Sequence, residues 1–221
     1  MTLPSVTEMR TIGIPVVHAV TTDEIVGRPD FIDTACAVMR ALGQRGALHL
    51  RASRLTGARL QSLAEGLAAA QALTGAWLIV NDRLDVALIS GARGVQLTSH
   101  SLATSDARTV APALAIGASV HDPEEGRLAI TAGADWLVAA QASSTGRGKG
   151  DAYHIEGWVR TLARSSSVPV IAIGGVQVDH ARALREMGVH GIAVIRGIWD
   201  AANAEQAASD YLSAYDDVGG Q

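Results

Sequence analysis

A single (β/α)8 TIM barrel is the fold this sequence predicts, on three observations. Eight short apolar runs alternate with helical patterns from end to end. All eight units fit into 221 residues, the length of one domain. No shift in composition marks a second domain, so residues 1–221 are expected to form one unit with its core from about 14 to 215.

The runs are Pro15–Thr22, Gly46–Ala52, Trp77–Asp82, Gly94–Ser99, Leu114–His121, Asp135–Gln141, Val168–Gly175 and Gly191–Ile198. Each is too short for a free-standing helix and apolar on both faces, as a strand of a covered parallel sheet must be. Between them, Phe31–Leu42, Gly57–Leu73 and Asp179–Met187 carry apolar residues at helical spacing. Asp122-Pro-Glu-Glu125 reads as a helix start, with Asp as N-cap and Pro in the first turn. Gly43, Gly133 and Gly188 stand where helices should stop. The tail from Asp216 is expected to fray.

Composition narrows the function. Hydrophobic residues make up 48% and charged residues 18%, which excludes disorder. No apolar run reaches membrane-spanning length. Glu8 and Arg10 stand where a signal peptide needs its apolar segment, and the single Cys36 cannot form an internal disulfide, so a cytoplasmic protein is expected. A net charge of −4 argues against nucleic acid or an anionic membrane as partner and leaves a small molecule. A homo-oligomer stays open. Among 18 basic residues Lys149 is the one lysine.

In such a barrel the catalytic face lies at the C-terminal ends of the strands. Reading each end gives Thr21 and Thr22, His49 and Arg51, Asn81 and Asp82, Gln96 and Thr98, Ser119 and His121, Ala140 and Gln141, Gly174 and Gly175, Arg196 and Gly197. Asp82 is the one acid, and it can instead cap the helix that follows, so no metal and no other cofactor is expected. Zinc spacing and a Gly-x-Ser-x-Gly elbow are absent from the sequence. Gly174, Gly175, Arg196 and Gly197 close strands 7 and 8, where these barrels often hold phosphate on backbone N–H groups. The loop Thr145–Asp151, with Lys149, suits a basic lid over an anionic substrate. His121 ends strand 5 before a helix N-terminus, which favours the neutral imidazole a general base needs. His49 is its main competitor.

Asn81-Asp-Arg-Leu-Asp-Val-Ala-Leu88, Gly94-Val-Gln-Leu97, Ile116-Gly-Ala-Ser-Val-His121, Ala134-Asp135, Ile171-Ala-Ile-Gly-Gly175 and Gly191-Ile-Ala-Val194 follow one another in an order and spacing that resemble the thiamin phosphate synthase and thiazole tautomerase (TenI-like) superfamily. The resemblance runs from about Val16 to about Trp199. It implies one of two reactions. The synthase joins a pyrimidine pyrophosphate to thiazole phosphate with Mg²⁺. The tautomerase shifts a double bond in a carboxylated thiazole phosphate, without metal. The synthase pattern has a lysine where this chain has Ser53, and a second Mg²⁺ aspartate where it has Ser101. These departures point to the tautomerase branch. His121 would then move the proton, and His49, Arg51, Asn81, Gln96 and Ser119 would line the ring pocket, with Thr145 and Lys149 on the lid. The synthase, needing Mg²⁺, is the alternative, and a non-catalytic protein that binds a phosphorylated metabolite is another.

Overall fold

The computed structural model describes residues 13–140 and 157–217. Eight parallel strands close into a barrel in chain order: β1 (Val17–Val20), β2 (Gly46–Leu50), β3 (Trp77–Asn81), β4 (Gly94–Leu97), β5 (Ala115–Val120), β6 (Trp136–Ala140), β7 (Val170–Ile173) and β8 (Gly191–Val194). β8 pairs back onto β1, with Val17 opposite Ile192. The (β/α)8 barrel read from the sequence is therefore the fold. The strands are shorter than the apolar runs because the run ends turn out of the ladder. Asp82 adopts φ 63°, and Gly174 and Gly175 adopt φ 126° and 63°.

The helices are α1 (Asp23–Val26), α2 (Phe31–Leu42), α3 (Gly57–Thr74), α4 (Leu84–Ser90), α5 (Thr104–Val110), α6 (Pro123–Thr131), α7 (Gly157–Ser165), α8 (Ala181–Glu186), α9 (Arg196–Trp199) and α10 (Ala204–Asp216). Helix α2 has the bounds its periodicity predicts. Helix α6 starts as expected, with the Asp122 carboxylate accepting the Glu125 N–H at 2.8 Å. The helix expected over Asp179–Met187 begins instead as a 3₁₀ turn, Val178–His180, because the Gln177 N–H donates to His180 Nδ1 at 3.1 Å and tightens the first turn. Helix α10 runs to Asp216, and of the tail expected to fray, residues 218–221 lie outside the described residues. The Tyr215 hydroxyl donates to the Val189 carbonyl, and Arg45 pairs with Asp216, both at 2.6 Å.

The core has two parts. Between ring and helices, Leu48, Leu50, Leu67 and Leu78 are fully buried. Each contributes about 1.5–3 kcal/mol by leaving water. Inside the ring, Val20, Ala47, Trp77, Ile79, Trp136, Val138, Ile171 and Ala193 pack together. Trp136 meets Trp77 edge-on, with centroids 6.5 Å apart. Gly117 makes room for it: a Cβ there would collide with the Trp136 ring and with Gln96 Oε1. The seam between β8 and β1 is covered by α10, which packs on α2. It is laced by the ion pairs Arg28–Asp200, Arg40–Glu205 and Arg45–Asp216.

Candidate active site at the C-terminal rim

Asp82 follows the last residue of β3. Its backbone N–H donates to the Gln96 carbonyl at 2.9 Å, which holds it against β4. Its carboxylate does not cap α4, whose N-cap is Arg83 with no side-chain capping bond. Asp82 Oδ1 accepts instead from the hydroxyl of Thr98, at 2.6 Å, and from that of Ser101. Asp82 is the one non-glycine among the described residues with positive φ. That conformation costs on the order of 1 kcal/mol, a strain typical of functional sites. The cap expected from the sequence fails because the left-handed turn aims the carboxylate across the rim.

Below the rim lies a polar floor. His18 on β1 and His49 on β2 both point into the barrel, with His18 Nδ1 2.8 Å from His49 Nε2. His18 Nε2 lies 2.9 Å from the Pro15 carbonyl. Burial pushes the His18 imidazole down to about 4. Burial, with His18 beside it, holds His49 well below the usual histidine range. His49 is thus a buried floor residue inside β2, not an open strand end. A ring so enclosed, with Nε2 engaged by His18, is poorly placed to rival His121 as general base. The Asn81 side chain is in hydrogen-bond contact with His49, but its buried Oδ1 has no partner in good hydrogen-bond geometry. Across the ring, Trp136 Nε1 donates to Gln96 Oε1 at 2.9 Å, and Gln96 Nε2 donates to Ser119 Oγ at 3.0 Å. This chain locks the Gln96 amide.

The ends of β7 and β8 border a cavity of about 960 Å³ lined by Gly174, Gly175, Arg196 and Gly197 among others. The four residues read from the sequence as a phosphate cradle therefore converge. Arg196 is exposed and opens α9 rather than ending β8. Gly175 needs its positive φ, and a Cβ there would meet open space. Gly197 has a separate reason to lack a side chain, because a Cβ would strike the Tyr211 hydroxyl. That hydroxyl is anchored on the Val176 carbonyl at 3.0 Å.

His121 falls just past β5, not within it, and its side chain is 59% exposed. A carboxylate meets it there. Glu125 Oε2 lies 3.1 Å from His121 Nδ1 and accepts the His121 backbone N–H at 2.7 Å. Arg51 is exposed, and no carboxylate among the described residues pairs with it. Ser53, at the lost lysine position, donates to Asp23 at 3.0 Å, and the Arg54 N–H donates to the same carboxylate. Thr145 and Lys149, with the lid read into their loop, lie outside the described residues, as does Gln141. Sequence reading missed the contacts of His18 with His49, of Ser101 with Asp82 and of Glu125 with His121. The i,i+4 spacing from His121 was the signal for Glu125. Among the described residues, no cluster of three or more His, Cys, Asp or Glu forms a metal cage, and no helix is long and apolar enough to cross a membrane.

The family described as thiamine monophosphate synthase matches residues 17–198. The thiamine-phosphate synthase of Methanoculleus marisnigri is 34% identical over 201 residues, covering 88% of this chain and 94% of that protein. The enzyme of the same name from Pyrococcus furiosus is 40% identical over 145 residues, covering 65% of this chain and 69% of that one. The solved structure of thiamine phosphate pyrophosphorylase from Pyrococcus furiosus superposes with a TM-score of 0.81 at 30% identity, covering 96% of this chain and all of that one. Both relatives carry the synthase name; neither carries that of a tautomerase.

Proposed function

From the premise that this chain belongs to the thiamine monophosphate synthase family, we propose that it catalyses the synthase reaction. A thiazole phosphate displaces pyrophosphate from a pyrimidine pyrophosphate. The new bond to the pyrimidine unit forms as pyrophosphate leaves with the electron pair of the broken C–O bond. The names of the relatives support this reading over the tautomerase that Ser53 and Ser101 point to in the sequence.

The observation that carries the proposal is Asp82. It is held in a strained turn at the rim, and the helix-capping role that would explain it away is not filled. Mg²⁺ usually takes one or two carboxylates together with substrate phosphates. The donor set here fits an ion that arrives with a diphosphate, with Asp82 as protein ligand and the Thr98 and Ser101 hydroxyls fixing its carboxylate. When bound, such an ion offsets negative charge on the leaving group. Arg51, exposed and without a carboxylate partner among the described residues, reaches for the diphosphate oxygens. Gly174, Gly175 and Arg196 hold the thiazole phosphate. Asn81, Gln96 and Ser119 form the floor beneath the rings.

One specific observation favours the metal-free tautomerase as a second reading. Ser101 stands where a second carboxylate is implied, and it spends its hydroxyl on Asp82. In that reading no cofactor is needed. Glu125 holds His121 Nδ1, and Nε2 carries the proton between ring positions. The deciding assay supplies both candidate substrates. Mg²⁺-dependent pyrophosphate release supports the synthase. Aromatisation of a carboxythiazole phosphate in EDTA supports the tautomerase and overturns the first reading.

A further inference from the structure

We propose that His18 is a positioning residue: through His49 it sets the hydrogen-bond polarity of Asn81, and so of the pocket floor. This rests on the reading that the substrate rings lie above Asn81. The tautomers follow from the chain of contacts, starting at its deepest point. A carbonyl only accepts, so the Pro15 oxygen requires the proton of His18 to sit on Nε2. In a neutral ring that leaves His18 Nδ1 a bare acceptor. His49 Nε2, 2.8 Å away, must then carry a proton and donate it. His49 Nδ1 is left as a second bare acceptor. Asn81, two residues beyond the β3 partner of His49 and on the same face, is the side chain in hydrogen-bond contact with that ring, whose Nε2 is already taken by His18.

An amide oxygen turned toward that lone pair would be repelled. The orphaned Asn81 Oδ1 is the mark of this conflict. A half-turn of the amide removes it. Its NH2 then donates to His49 Nδ1, and Oδ1 swings to the pocket side as an acceptor. All bonds run one way, from Asn81 through His49 and His18 to Pro15, and each polarises the next. Both rings are buried and held neutral, which keeps the direction of the chain fixed. His190, the other histidine near His18, is occupied at the Ile14 carbonyl, 2.8 Å from its Nε2, and does not compete for the relay. The consequence is chemical selectivity. The floor offers an acceptor, so the ligand group seated on it must be a hydrogen-bond donor.

Ring-nitrogen ¹⁵N NMR of the whole protein at pH 7, with the His49 signal identified by its loss in His49→Gln, reads the tautomers without any substrate. The expected result is Nε2–H for both His18 and His49. An Nδ1–H tautomer at His49 in the wild type overturns the proposal, whatever reaction the enzyme performs. His18→Leu should leave His49 a mixture of tautomers. It should raise KM for the ring substrate about tenfold, the worth of one hydrogen bond, with little change in kcat. His18→Gln, which can accept from His49 and donate to Pro15, should restore both. A His18→Leu protein with unchanged tautomer and KM, or no rescue by His18→Gln, also refutes the role. Absence of turnover with either candidate substrate would count against the assigned reaction alone, because the NMR result stands apart from it.

Discussion

Thr98 Oγ1 lies 2.6 Å from Asp82 Oδ1, so a hydroxyl just past β4 restrains the carboxylate just past β3. Restraint of this kind holds an anion in place before a cation arrives. If Asp82 is a ligand for a diphosphate-bound ion, EDTA should abolish pyrophosphate release and added Mg²⁺ should restore it. Asp82→Asn should lower turnover by about 100-fold, the usual effect of removing one preorganised electrostatic group. Ser101→Asp should tighten Mg²⁺–pyrophosphate binding measured by titration calorimetry. Unchanged activity in EDTA would return the protein to the metal-free reading.

Phosphate recognition is tested by comparing a phosphorylated thiazole with its alcohol. Arg196→Gln removes a charged donor and should weaken the phosphorylated ligand by about 10- to 100-fold, with little effect on the alcohol. Gly175→Val should act in the same direction, since the side chain closes the backbone approach. Equal loss for both ligands would mean that the cradle holds no phosphate.

His121 separates the two reactions. Its ring is exposed and tied to Glu125. His121→Asn should leave pyrophosphate release within a few-fold of wild type. General acid–base catalysis contributes about 10²–10⁴-fold, and a loss of that size in thiazole aromatisation would make His121 the proton carrier.

Acid should destabilise the barrel through its two buried histidines. The His18 pKa is lowered from 6.5 to about 4, so between these values the unfolded chain binds more protons than the folded one. Stability is then complete above pH 6.5 and falls as pH drops toward 4. The His18 share is roughly 3 kcal/mol at 1.36 kcal/mol per pKa unit, and His49 adds to it in the same direction. Urea melts at pH 7 and pH 4.5 should show the loss, and His18→Gln should flatten the slope.

Packing inside the ring is tested at Gly117. Gly117→Ala puts a methyl into space filled by Trp136 and Gln96, and should cost about 1–3 kcal/mol by denaturant unfolding. A neutral change would mean that Trp136 has another place to go.

The barrel is legible in the sequence because strands covered on both faces read as unbroken apolar runs, and its helices carry local signals such as Asp122-Pro123 and Gly43. The convergence of Gly174, Gly175, Arg196 and Gly197 follows from the rule that strand ends share one face. The direction of the Asp82 carboxylate was not legible. Whether a carboxylate caps the next helix or crosses to a neighbouring strand depends on one backbone torsion, and Asp is compatible with either. His49 was misread as a rim residue because its run extends to Ala52, beyond the end of the ladder at Leu50. The partnership of His18 with His49 depends on neighbouring strands turning the same face inward, which no single run reveals.

The seam between β8 and β1 joins residues as far apart in the chain as Val17 and Ile192. During synthesis on the ribosome, β1 therefore emerges long before its second neighbour exists. Until residues past Val194 leave the exit tunnel, the growing sheet carries an unpaired edge, the kind of surface that invites pairing with another nascent chain. The ring cannot close by local steps alone, and its final step is a long-range docking held by α10 against α2. A chain halted before β8 would be an open sheet whose β1 margin has no strand to pair with, so closure waits for the last fifth of the sequence.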